Sequence, residues 1–169
     1  DMEQVLGLVN FDSRQYLDNG VACGLGLDGP VVAYGHDLWA SLRSFLTSQR
    51  LGDQHRRLKA EAGAKWTGDE MLFGSGEYAL ELATIGGAKA LMMDDRIGSL
   101  EAGKEADILL VDIRGETQLS PPAALFANLV YGNGPSHDAV RGVLVGGRTA
   151  VRDGEHVSID RREAVRRSE

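Results

Sequence analysis

The chain has a single cysteine, Cys23, so no internal disulfide framework can hold it, and a reducing compartment is expected. It has no basic excess. Against 18 lysines and arginines stand 25 acidic residues, giving a formal charge of −7. Nucleic acid is therefore not expected as a partner, because binding phosphates needs a basic face. The one basic concentration, Arg161, Arg162, Arg166 and Arg167, reads as a solvated helix face. No apolar run reaches about 18 residues and no signal peptide is evident, so no membrane partner is expected and the location is read as cytoplasmic. There is no internal repeat and no low-complexity segment. The chain starts at Asp1 rather than methionine, which reads as a processed, cloned or truncated product. What remains is a globular composition, 43% hydrophobic and 25% charged in 169 residues, enough for one or two domains with a real core.

Glycine is abundant, and it punctuates the elements. Asp12 or Ser13 can start a short helix through Leu17 that Gly20 ends. Val21 to Leu27 carries no charge and reads as a strand buried on both faces, as in a parallel sheet covered by helices. Alternation then puts Gly24, Gly26 and Asp28 on one side, and Cys23, Leu25 and Leu27 on the other. A barrel strand has this form, with leucines packing outward on helices and Asp28 at the C-terminal mouth.

Asp37 can cap a helix whose Leu38, Leu42, Phe45 and Leu46 form one apolar stripe. The stretch from Gly52 to Gly68 reads as the end of that helix and a surface loop. Ser75 can cap a second helix, about Glu77 to Leu91, with Leu80, Ala83, Gly87 and Leu91 on one face. Its Gly86-Gly87 pair costs about 1 kcal/mol per glycine, which close approach of another backbone would justify. Beyond Asp95 the texture changes to strands and turns: Ala106–Ile113, Ala139–Val145, Arg148–Val151 and His156–Ile159. Gly146-Gly147 marks a hairpin and Asp153-Gly154 a further turn. A short helix, Ala123 to Val130, is expected after Ser120-Pro121-Pro122, and Asp160 can cap a last one.

Four segments resemble one family. Asp18-Asn19-Gly20-Val21 with Gly24-Leu25-Gly26-Leu27-Asp28-Gly29 resembles the last barrel strand of the amidohydrolase superfamily, in its deaminase and chlorohydrolase branch. Asp37 and Arg43 follow at that branch's spacings. Leu82 to Leu91 resembles its A-T-x-N-G-A-x-A-L helix, and Ile97 to Asp107 its I-G-S-L-E-x-G-K-x-A-D signature. The resemblance implies the C-terminal part of a (β/α)8 barrel over residues 1–95, followed over 96–169 by part of a small β-sandwich and a final helix. It implies a parent about two and a half times longer, whose barrel alone has an ordinary size of about 250 residues. Members hold a metal through an H-x-H pair, later histidines and the last-strand aspartate. Only the aspartate has a counterpart here, Asp28.

The resemblance thus implies Asp28 as metal ligand and as the acid–base group of a hydrolase that breaks C–N bonds. The reaction expected is deamination of a small aminated heterocycle. One zinc or iron ion is expected in the complete parent, none in this chain alone, since a tight zinc site takes three or four protein ligands. His36 and Trp39 are candidate substrate contacts near the mouth, although a rim position for His36 and packing for Trp39 are the plainer readings. His55, His137 and His156 follow no ligand spacing and read as surface residues. A homo-oligomer is expected, because a partial barrel leaves open strand edges. The loop Pro30-Val31-Val32-Ala33-Tyr34-Gly35 departs from the branch, which carries serine and asparagine there. That departure keeps a non-catalytic association domain as one alternative. A cyclic-amide hydrolase of the same superfamily is another.

Overall fold

A computed structural model of the chain describes residues 13–27, 37–60, 75–114, 124–132 and 134–168. Asp28, His36, the loop 30–35 and Ser120-Pro121-Pro122 lie outside the described residues. The architecture is mixed: helices dominate the first half, and an antiparallel sheet of four strands the second.

Helix α1 spans Ser13–Asp18, and Gly20, at a φ of 73°, closes it with its N–H on the Leu17 carbonyl. The stretch 21–27 was expected as a strand, but no described segment pairs with it. A strand exists through its ladder, and here the N–H of Leu25 donates instead to a helix carbonyl, Leu82 O, at 3.2 Å. The expected alternation is nevertheless present. Residues 23, 25 and 27 are half-buried, and 22, 24 and 26 are exposed.

Helix α2 runs Leu38–Ala60. Asp37 Oδ1 caps it, accepting the N–H groups of Trp39 (2.9 Å) and Ala40 (3.2 Å). The helix ends at Ala60, within the 52–68 stretch expected to contain its end, and Gly52 does not interrupt it. A lone helical glycine costs only about 1 kcal/mol, and the following Gln54 to Ala60 is rich in strong helix formers. The predicted stripe is correct: Leu42 and Leu46 are fully buried, with Leu38 and Phe45 packed beside them. Burial of each leucine stabilises by about 1.5–3 kcal/mol.

Ser75 Oγ accepts the Tyr78 N–H (3.2 Å) and starts helix α3, Gly76–Glu81. A π-helical stretch, Leu82–Gly86, follows, and then helix α4, Gly87–Ala90. Two donors draw carbonyls away from a regular ladder here: Thr84 Oγ1 takes Leu80 O (2.7 Å) and Leu25 N–H takes Leu82 O. The extra residue of the π turn displaces the buried face. Gly76, Ala79, Leu82 and Ala88 are buried, whereas Leu91, expected on the apolar face, is 65% exposed. Helix α5, Leu125–Tyr131, begins two residues later than expected and packs on both α2 and α3. Its Val130 joins Leu42, Leu46 and Ala79 in the core, with Leu25 packed against the cluster.

The sheet is a simple meander, β1-β2-β3-β4. Strand β1 is Ile108–Val111, β2 Val140–Val145, β3 Arg148–Arg152 and β4 Glu155–His156. The first and last are shorter than expected. A bulge after Leu110 bends β1 out of its ladder, and β4 pairs through two residues only. Gly146 and Gly147, at φ 54° and 76°, supply the two positive angles of a two-residue hairpin, and Asp153 and Gly154 repeat the device at 49° and 83°. Helix α6, Arg161–Ser168, is capped by Asp160 Oδ1, which accepts the N–H groups of Arg162 and Glu163.

Candidate active site

The segment 21–27, which precedes Asp28 in the sequence, is held from two sides. Leu25 anchors it on one side by packing against Leu42, Leu46, Ala79 and Val130. On the other, its backbone meets the α3–α4 helix at glycines. A Cβ built on Gly24 would lie 2.5 Å from the Gly87 Cα, and one built on Gly86 would lie 2.8 Å from the Cys23 carbonyl oxygen. Gly86 thus has the reason anticipated for the pair, since another backbone passes where its side chain would stand, whereas a Cβ on Gly87 would meet only Leu82 O at an ordinary 3.6 Å. Cys23 is half-buried and its thiol lies 3.5 Å from the Val21 carbonyl oxygen. Tyr78 stands near this segment. Burial pushes its phenol up first, and the Cys23 and Glu81 charges add to the shift.

Trp39, the one candidate substrate contact among the described residues, is half-buried against the core. Its indole lies over Gly134, where a Cβ would approach the ring to 2.4 Å. Packing therefore accounts for its position. His55, His137 and His156 are all exposed, as surface residues should be. Among the described residues no three His, Cys, Asp or Glu side chains converge as a metal site would require.

The long signature Ile97–Asp107 is a joint, and its residues act in ways that spacing alone did not disclose. Gly98, at φ 92°, fits against the helix: a Cβ there would lie 2.6 Å from the Ala88 Cβ and 2.9 Å from the Ile85 Cα. Arg96 pairs with Glu105, and the Glu105 N–H returns to the Arg96 carbonyl at 2.8 Å. Lys104 Nζ donates to Ser99 Oγ (2.6 Å) and lies 3.2 Å from Glu101. The Ser99 hydroxyl bond, then Lys104, holds the Glu101 carboxyl below its ordinary value. Asp107 Oδ1 accepts the Gly146 N–H (2.6 Å), and Ala106 O accepts that of Gly147 (3.0 Å), so the signature ends by holding the β2–β3 hairpin.

Beside the sheet, Asp112 accepts the N–H, Nε and Nη2 groups of Arg114 at 3.1, 2.9 and 2.9 Å, with Arg141 Nε 3.7 Å away. The Arg114 side chain, then its backbone, holds this carboxyl well below the usual carboxylate range. The folded-state value lies below the unfolded one of about 3.9, so the stabilisation is complete above that pH and is lost as pH falls toward the folded value. Asp112→Asn should therefore lower stability at pH 7, with the gap to the parent closing below about pH 4. Urea unfolding of both proteins at pH 7, 4 and 3 checks this; a gap independent of pH would refute it.

Residues 5–150 match the amidohydrolase family, and the chain belongs to that family. It is 42% identical over 150 residues to the 5-methylthioadenosine/S-adenosylhomocysteine deaminase of Moorella thermoacetica, a match covering 89% of this chain and 31% of that protein. Over 80 residues it is 46% identical to the S-triazine hydrolase of Gordonia rubripertincta, covering 46% of this chain and 16% of the hydrolase. A variant of the atrazine chlorohydrolase of Arthrobacter aurescens, complexed with zinc and atraton, superposes with a TM-score of 0.71 at 26% identity, over 99% of this chain and 33% of its own. An adenosine deaminase from Xanthomonas campestris with bound zinc gives 0.76 at 23% identity, over 99% of this chain and 34% of its own, a likeness of fold alone. The chain spans about a third of the length of the curated relatives it matches.

Proposed function

We propose that this chain is the C-terminal part of a hydrolytic deaminase that acts on an aminated heterocycle of the adenosine type. The carrying observation is the 42% identity to a 5-methylthioadenosine/S-adenosylhomocysteine deaminase along 150 residues. On this reading residues 1–95 complete a (β/α)8 barrel and 96–169 belong to a β-sandwich, in an oligomeric cytoplasmic enzyme. Asp28 follows the segment 21–27 at the mouth of the barrel, and His36 and Trp39 line the approach to it.

The reaction adds water to the amine-bearing ring carbon and expels ammonia, leaving a carbonyl. Asp28 accepts a proton from the attacking water and returns it to the departing amine, so one carboxylate serves both steps and ends as it began. A divalent metal, zinc or iron, belongs to the whole enzyme on this reading, and zinc is bound in the similar solved structures. The described residues do not fit a metal centre by themselves, and the proton steps assigned to Asp28 are stated without it.

Ammonia release by the full-length protein, with its metal content measured in parallel, tests the proposal. 5′-Methylthioadenosine and S-adenosylhomocysteine should be turned over in preference to aminotriazines. No ammonia from any of them, in a folded and metal-loaded protein, would leave the non-catalytic alternative that the apolar loop 30–35 favours.

A further inference from the structure

The chain leaves the sheet after β4 and enters α6 through residues 157–160. The Val157 N–H still belongs to the sheet, donating to Ala150 O at 2.9 Å. The next N–H, that of Ser158, leaves the ladder and donates to the imidazole Nδ1 of His156 at 3.2 Å. We infer that His156 is a pH-sensitive latch on this turn: the neutral ring holds the Ser158 N–H, and the protonated ring releases it.

The chemistry follows from the donor. A backbone N–H can only donate, so Nδ1 is the bare nitrogen and the ring proton sits on Nε2. In the imidazolium both nitrogens carry hydrogen. Two donors then face each other and the bond is lost. The Ser158 hydroxyl, 3.4 Å from Nδ1, is the acceptor at hand for the new ring N–H, and the backbone N–H is left to water. Imidazole changes charge between about pH 5 and 8. The charged groups around the ring are Glu155 beside it on β4, Arg152 opposite Glu155 on β3, Asp153 in the β3–β4 turn, and Asp160 and Arg162, which line the same groove. Carboxyl and guanidinium groups change charge near pH 4 and above about pH 12, outside that window. The cross-strand neighbour of the ring itself, Val151, is apolar.

The turn matters to α6 because the helix has little burial of its own. Among its described side chains Glu163 is half-buried and the rest are exposed. The helix does not need the ring to form. Asp160 caps it, and Glu163 pairs with Arg166 and Arg167 at 2.8 Å each. Opening the latch therefore loosens the tether of α6 and leaves its internal bonds in place.

Hydrogen–deuterium exchange of the full-length protein, resolved to single amides and corrected for the intrinsic pH dependence of exchange, tests the latch. Protection of the Ser158 amide should fall about 2–10-fold from pH 8 to pH 5, the worth of one hydrogen bond, while β2 and β3 keep theirs. His156→Asn supplies an oxygen acceptor that does not titrate, and should keep the protection at both pH values. His156→Ala has no acceptor and should lack it at both. Ser158→Ala retains the backbone donor and should respond as the parent does. His36, His55 and His137 remain in every variant, so a response of theirs would persist in His156→Asn. Equal parental protection at pH 8 and pH 5 would overturn the inference. So would a loss in His156→Asn equal to the parental one, or a parental loss that spreads through β2 and β3.

Discussion

Asp28→Asn in the full-length protein is expected to slow ammonia release by about 10²–10⁴-fold while moving its melting temperature little. The substitution keeps the size of the side chain and one oxygen acceptor. It removes the negative charge and the capacity to carry a proton, and general acid–base assistance contributes a factor of this order. Stability should be spared because the segment before Asp28 is held by other groups. Leu25 packs on the core cluster, the Leu25 N–H holds Leu82 O, and Cys23 and Leu27 are half-buried on the same side as Leu25. Steady-state turnover and thermal melting of the two proteins check both halves of the expectation. Turnover at the parental rate would make Asp28 an ordinary turn residue. A collapse of the fold would mean that the carboxylate is structural.

The parts of this fold that sequence disclosed are those whose cause is local. Asp37, Ser75 and Asp160 cap helices because each side chain reaches an N–H two or three residues ahead. Gly146-Gly147 turns a hairpin because both residues adopt positive φ. The stripe Leu38, Leu42, Phe45 and Leu46 finds the core because one helical face presents it.

What sequence misjudged depends on partners distant in the chain. The segment 21–27 has the composition of a strand but bonds to a helix carbonyl among the described residues. The π turn at Leu82–Gly86 moves the buried face away from Leu91, and no periodicity argument contains that extra residue. At the site, family signatures brought Asp28 to attention. They gave no roles to Gly98, Lys104 or Asp107, whose work is to join helix, loop and hairpin. Polar residues in a matched signature invite a chemical reading, yet Lys104 and Asp107 are both explained by the contacts they make within the chain.

Gly134→Ala should destabilise the helical core by about 2–5 kcal/mol. Two independent costs meet there. Its φ of 74° is left-handed, which is unfavourable for a residue with a Cβ by about 1–2 kcal/mol. The added methyl would also lie 2.4 Å from Cδ1 and Cγ of Trp39 and 2.6 Å from Cδ2, an overlap that overpacking data put at about 1–3 kcal/mol. The ring cannot easily retreat, because it is packed against the cluster of Leu42, Leu46, Ala79 and Val130. A double-mutant cycle separates the two costs. In a Trp39→Ala background the overlap is gone, so Gly134→Ala should cost only the backbone share of about 1–2 kcal/mol. The same cycle bears on the proposed role of Trp39 in substrate binding. If the indole serves packing alone, Trp39→Ala lowers stability and leaves KM unchanged; if it also meets substrate, KM rises even at temperatures where the variant is fully folded. Urea unfolding of the four proteins, with KM measured for each, gives both answers. Equal costs for Gly134→Ala with and without the indole would show that the ring is not what excludes a side chain at this position.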